Sequence, residues 1–174
     1  MAYGVVHTTN IKGICVSLVD SANDRENGEI VYTVGELEAA PSEVAKVGAG
    51  DGEIACLVAN PAWDYNESSI LNQNEDRFIN VKGLPFRAYQ LSVGDIFCLN
   101  DAALEDDIDD LDVGDTLGAQ DGKLDSSVSS GVVVKVLEIV TKGHSIDPLS
   151  GAITPQKMVL VRVESIGSGE AASN

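Results

Sequence analysis

The chain has 174 residues, 44% of them apolar, with 11 Lys and Arg against 28 Asp and Glu for a formal charge of −17. That length fits one domain whose core stands without disulfides. A surface this negative repels phosphate and disfavours binding to nucleic acid or an anionic membrane. Aromatic residues make up only 5%, so the core must rest on Val, Ile, Leu and Ala.

The start, Met1-Ala2-Tyr3-Gly4, has no basic region ahead of an apolar run, and no signal peptide is expected. No window approaches the ~20 apolar residues of a membrane span. Val5 to Asn10 reads as an extended arm or an edge strand. Gly13 then precedes a β-prone run, Ile14 to Val19. The polar stretch from Asp20 ends at Asn27-Gly28, a tight-turn signal because both residues tolerate φ > 0. It leads into a strand over Ile30 to Val34, closed by Gly35.

Gly48 to Gly52 forms a turn cluster. The following run, Glu53 to Ala59, is apolar on both faces and predicts a central, buried strand. Asn60-Pro61 ends it, since proline has no N–H for a ladder. From Trp63 to Gly83 the chain is polar and rich in Asn, which predicts a long ordered loop with a short helix near Ile70-Leu71. Loops of that length usually carry function.

Leu84 to Leu99 reads as a hairpin. Phe86 to Leu91 is one strand, Ser92-Val93-Gly94-Asp95 the turn, and Ile96 to Leu99 the return. Residues 101–115 then hold eight acidic side chains and no Lys or Arg. Leu104, Ile108 and Leu111 recur within them at helical spacing, predicting a short amphipathic helix. Val113-Gly114-Asp115 repeats the turn at Val93-Gly94-Asp95, and Asp121-Gly122 is a further hairpin signal. Gly131 to Val140 is the strongest strand by composition. Residues 144–156, with Pro148, Gly151 and Pro155, predict a loop before a last strand over Lys157 to Val163.

The expected fold class is mainly β: a small β-barrel or sandwich with long loops and at most one or two short helices. Residues 1–12 are read as an extended arm or edge strand, 13–165 as a single β-rich domain, and 166–174 as a flexible tail. Cys15, Cys56 and Cys98 lie far apart in apolar runs. An odd count at such spacing argues against a disulfide framework, and each is expected to be a small buried hydrophobe suited to a reducing cytoplasm.

No catalytic residues are assigned. His7 and His144 are the two histidines, and no Gly-x-Ser-x-Gly elbow or phosphate-cradling glycine motif accompanies them. No zinc spacing is present. A calcium loop starting at Asp110 would have its Gly one place early, and Asp121 where a Glu is expected, so a solvated acidic loop is the preferred reading. Neither a cofactor nor a metal is therefore expected. Trp63 and Tyr65 suit either a sugar-stacking platform or, preferably, anchors that pin the long loop to the core.

The order of turns and strands resembles a known family. Its marks are the extended start Tyr3 to Asn10, the Asn27-Gly28 turn, and Ile54 to Pro61 leading to Tyr65-Asn66-Glu67. Asn80-Val81-Lys82-Gly83-Leu84-Pro85-Phe86-Arg87-Ala88-Tyr89 and Gly94-Asp95-Ile96-Phe97 follow. Over roughly residues 1–100 the chain is similar to capsid decoration, or auxiliary head, proteins encoded beside the major capsid protein of tailed bacteriophages. The resemblance implies a virion structural protein that is made in the host cytoplasm, binds the capsid exterior and stabilises the shell. Its implied partners are the major capsid protein and, as an oligomer, further copies of itself. Neither nucleic acid nor membrane is an implied partner. Tyr3, Val5, His7 and Thr9 of the arm, with Trp63 and Tyr65 of the loop, become candidates for capsid contact. The alternative is a carbohydrate- or cell-surface-binding β-module, supported by the aromatic loop; an enzyme is not expected.

Overall fold

The computed structural model describes residues 3–33, 43–46, 54–61, 75–120, 122–146 and 151–167. The strands are β1 (Val6–Asn10), β2 (Cys15–Val19), β3 (Ile30–Thr33), β4 (Glu43–Lys46), β5 (Ile54–Val58), β6 (Phe86–Gln90), β7 (Ile96–Asn100), β8 (Thr116–Gln120), β9 (Lys123–Asp125), β10 (Val132–Ile146) and β11 (Ile153–Ile166). Single 3-10 turns lie at Glu75–Arg77, Asp101–Ala103 and Ile108–Asp110, with no α-helix among the described residues. The mainly-β expectation is met. Trp63, Tyr65, the helix expected near Ile70, the Gly48–Gly52 turn and the tail from 168 lie outside the described residues.

One sheet has six strands in the order β1-β7-β11-β10-β8-β9, all paired antiparallel. The second, β2-β4-β3-β5-β6, rolls until β2 meets β4 in a parallel pairing of two residue pairs. Side-chain alternation explains how the sheets stack. Leu18, Val31, Cys56, Val58, Phe86 and Ala88 fill the inside of the rolled sheet. Ile30, Tyr32, Ala55 and Leu57, one residue out of phase on β3 and β5, face the six-stranded sheet. There they meet Phe97, Leu99, Leu117, Val134, Val136, Val159 and Val161 in the main core. β5 is apolar on both faces because each face meets a different core.

The hairpin expected over Leu84–Leu99 does not form. β6 pairs with β2 and β5 in the rolled sheet, whereas β7 pairs with β1 and β11 in the other. The turn between them crosses from one sheet to the other, and its hydrogen bonds explain why. Gly94 N–H donates to Val163 O (2.8 Å) and Val163 N–H to Asp95 O (2.9 Å), which docks the turn on β11. The sequence repeat at Val113-Gly114-Asp115 makes the same bonds to β10: Gly114 N–H to Val136 O (2.9 Å) and Val136 N–H to Asp115 O (2.8 Å). Each turn is also closed by its own carboxylate, Asp95 Oδ2 accepting from Ser92 N–H and Asp115 Oδ2 from Asp112 N–H, both at 2.8 Å. Beyond the turns, Phe97 pairs with Val161 and Leu117 with Val134. Lys135 pairs with Arg162 between the two central strands. These registers relate the halves β7-β11 and β8-β10 by an approximate twofold.

The amphipathic helix expected around Leu104–Leu111 is likewise absent. Leu104, Ile108 and Leu111 are buried in the main core, but two single 3-10 turns deliver them there. The aspartates before and between them compete for the backbone that a helix would need. Asp101 Oδ1 accepts from Ile108 N–H (2.9 Å) and Asp107 Oδ1 from Asp109 N–H (3.0 Å). Asp106 Oδ2 accepts from Ser126 N–H (2.6 Å), tying the tract to the segment after β9. Part of the acidic run is therefore turn chemistry.

A buried polar strut braces the connection between β2 and β3. The Arg25 guanidinium contacts Asp20 Oδ2 through Nη2 (2.6 Å) and Nε (2.8 Å), and Glu29 Oε2 through Nη1 (3.0 Å). Gly28 N–H reaches Val58 O on β5, while Ile30 N–H reaches Gly122 O in the β8–β9 turn. Gly28 lies at φ +92°, and a Cβ there would stand 2.7 Å from Ala103 Cβ. The expected Asn27-Gly28 turn thus feeds β3 as predicted, though β3 pairs with β4 and β5 and not with β2.

The loop expected over 144–156 is shorter than predicted. β10 continues to Ile146 and β11 resumes at Ile153, their ends paired only with each other. Pro155 is tolerated opposite His144 because no further described strand pairs with it there. Of the cysteines, Cys56 and Cys98 are buried as expected. Cys15 is exposed, because it opens β2 before that strand enters the core.

Candidate functional site: an open strand edge beside the Glu75 turn

The N-terminal arm is the edge strand of the six-stranded sheet. Asn100, at the end of β7, clamps it. Its Oδ1 accepts from Val5 N–H (2.7 Å), its Nδ2 donates to Tyr3 O (3.1 Å), and its own N–H donates to Val5 O (3.1 Å). Val5 is 2% exposed and packs on Cys98 and Met158. This corrects the expectation for Val5: its side chain belongs to the core and is not available to a partner. Tyr3 is partly exposed, and its N–H donates to Asp76 O (2.7 Å). Thr9 is exposed, its hydroxyl 4.0 Å from Cys98 Sγ.

Glu75 and Asp76, in the described end of the stretch expected to be a long loop, come to this arm. Glu75 pairs with His7 Nε2 at 3.0 Å, and Asp76 receives Tyr3 as described. The described end of the loop and the arm therefore form one surface. Trp63 and Tyr65 lie outside the described residues.

The geometry of β1 fixes which backbone groups are free. Val5 points its N–H and C=O toward Asn100, and the register continues Val6 to Leu99, His7 to Cys98 and Thr8 to Phe97. In an antiparallel ladder such groups alternate. The N–H and C=O of Val6 and Thr8 therefore face away from β7, and no other described strand pairs with them. Val6 and Thr8 instead line a cleft whose other wall is Asn27, Ala59, Asn60, Pro61 and Tyr89, with Glu75 at its rim. Asn27 and Asn60 brace that wall, Asn27 Nδ2 donating to Asn60 O and Asn60 N–H to Asn27 Oδ1, each at 2.9 Å.

The two edges of the sheet differ. β9 is three residues long, carries Lys123 and Asp125, and is bridged on its outer side by Leu104, with Glu105 N–H donating to Leu124 O (2.9 Å), a short, charged and covered edge that discourages strand addition. β1 is five residues long and carries no Lys, Arg, Asp, Glu or Pro. Only the register shift between Thr8 and Asn10 interrupts it.

Elsewhere, His144 is exposed on the β10–β11 extension, on a different strand from His7. Among the described residues no group of His, Cys, Asp or Glu is placed to hold a metal ion. Lys157 forms an ion pair with Asp109, whose hydrogen bond holds the ammonium above its ordinary pKa. Glu75, Asn60 and Asn100 were not singled out from the sequence. The available signals were the Asn that ends the apolar run at β7 and the Asn before Pro61. No family model matches the chain, and no curated protein or solved structure shows significant similarity to it.

Proposed function

We propose that this chain is a structural protein of a tailed-phage virion that binds the outer surface of the capsid and stabilises the shell, with the major capsid protein as its partner. The observation that carries the reading is the open, uncharged edge of β1, clamped on a two-sheet body beside the Glu75 turn. A protein that reinforces a shell must be rigid and must offer a contact surface. The buried strut at Arg25 and the docked turns at Asp95 and Asp115 supply the rigidity. The edge supplies a surface of the kind that recruits extended partner segments. A weak contact at each copy gains strength when a lattice repeats it, and the charge of −17 keeps a crowded exterior from self-association.

The test is cosedimentation with purified capsids of the phage that encodes the chain. The reading expects saturable binding at a fixed ratio to the major capsid protein, together with a rise in the temperature at which the capsids release DNA. Absence of binding at any concentration up to ~100 µM, well beyond typical specific interfaces, would overturn it. Removing residues 1–10 is a poor control, because it also removes Val5 from the core and leaves Asn100 without its partners.

A further inference from the structure

We propose that the outer edge of β1 accepts an extended, positively charged segment of the partner protein, added as a further strand along Val6–Asn10. The inference rests on the partner-binding reading above and names the chemistry of what is bound. Val6 and Thr8 each offer one N–H and one C=O to the cleft, the alternation an added strand needs. The cleft has apolar wall at Tyr89 and Pro61 for alternate side chains of the incoming segment, held in place by the bonds between Asn27 and Asn60. Among the described residues its lining carboxylate is Glu75, which pairs with His7, and Glu26 nearby holds Gly4 N–H (2.7 Å). Both are acidic.

Charge selects among the occupants. A second copy would bring −17 to −17, and an acidic segment would meet the same field. A basic segment is drawn in by it. The contrast with β9, whose edge is short and charged, explains why strand addition is directed to one side of the sheet.

The experiment reads amide exchange at Val6 and Thr8 by NMR on the full chain, with acetyl-Lys-Val-Lys-Val-Lys-Val-amide as probe and the Glu-Val counterpart as control. The lysine peptide is expected to slow exchange of both amides about tenfold or more as they enter hydrogen bonds, and the glutamate peptide to leave them unchanged. Thr8→Pro removes one outward N–H while leaving the inward ladder intact, and protection at Val6 should be lost. Thr8→Lys keeps the backbone and should weaken the lysine peptide alone, which covers the case in which the proline variant folds poorly. Equal protection by both peptides, no protection by either, or protection that rises with protein concentration without peptide would each overturn the proposal. Cosedimentation of Thr8→Lys separates the two readings. Capsid binding retained at wild-type strength overturns the edge proposal and leaves decoration standing, whereas failure of the wild type to bind capsids overturns decoration.

Discussion

The twin turns allow a sharp test of how the sheets are held together. Asp95 and Asp115 occupy equivalent places, yet their carboxylates do different work. Asp95 is wholly buried and uses both oxygens, Oδ2 on Ser92 N–H at 2.8 Å and Oδ1 on Lys12 N–H at 3.0 Å. The second bond pins the β1–β2 connection to the turn. Asp115 is only partly buried and accepts Asp112 N–H through Oδ2. An asparagine side chain has a single acceptor oxygen. Asp115→Asn can keep its bond by turning that oxygen to Asp112, and should cost less than ~1 kcal/mol. Asp95→Asn must abandon either Ser92 or Lys12 and set an amide NH₂ against a buried N–H. A hydrogen bond to a charged group contributes about 1.5–3 kcal/mol, and the stranded donor adds to the loss. Relief of the buried charge offsets part of that, leaving an expected cost of about 2 kcal/mol. With urea slopes of ~1–3 kcal/mol per molar, the midpoint should fall by about 1 M. Urea unfolding followed by circular dichroism measures both variants. Equal costs, or a larger cost for Asp115→Asn, would show that the turn alone, and not its tie to Lys12, matters.

Further outcomes rest on two glycines, the acidic tract and the strut. Gly28→Ala adds a Cβ at φ +92°, 2.7 Å from Ala103 Cβ and 2.9 Å from Leu99 Cδ2, and should cost ~3 kcal/mol from strain and overpacking together. Gly114→Ala, at φ +104° but with open space, should cost only ~1 kcal/mol by the same unfolding assay. Ile108→Ala should lose ~2–5 kcal/mol despite lying in the acidic tract, because its side chain is in the main core; a change under ~0.5 kcal/mol, the surface level, would contradict that placement. The strut gives opposite pH signatures. For Glu29, burial raises the pKa above its ordinary 4.5 against the bonds from Glu26 N–H and Arg25. Its protonated form therefore favours folding, a contribution present at low pH and lost as pH climbs through the raised value. The melting temperature of Glu29→Gln relative to wild type should accordingly rise between pH 4 and 7. For Asp20, burial raises the pKa but is outweighed by bonds from Ala22 and Asn23 N–H and from Arg25, so the net shift is downward. Its contribution is present above the ordinary 3.8 and disappears as pH falls through the lowered value, so the deficit of Asp20→Asn should shrink in acid.

Much of the strand pattern was legible because it is local. β5 declared itself by apolar residues on both faces, and the repeat of Val-Gly-Asp correctly marked two equivalent turns. Pairing was not legible. Ser92–Asp95 has the composition of a hairpin turn, but its hydrogen bonds go to Val163, far along the chain, and the flanking strands pair elsewhere, β6 with β2 and β5, and β7 with β1 and β11. The spacing of Leu104, Ile108 and Leu111 correctly marked core residues and misled on geometry, since the intervening aspartates take the backbone N–H groups for themselves. Within the site, Val5 and His7 sit two residues apart on an extended arm. Sequence could not tell that one is core and the other meets Glu75. That division depends on Asn100 and on the order of strands in the sheet, and so does the freedom of the Val6 and Thr8 backbone.

The proposed docking of this body on a capsid through the edge of β1 is directly visible to cryo-electron microscopy of capsids incubated with the full chain. Ordered density is expected on the outer surface at a fixed set of lattice positions, with β1 at the contact and strand-like density continuing beyond Val6–Asn10. Bare capsids at saturating protein would contradict the claim, as would ordered copies contacting the shell only through β9 or the β10–β11 extension.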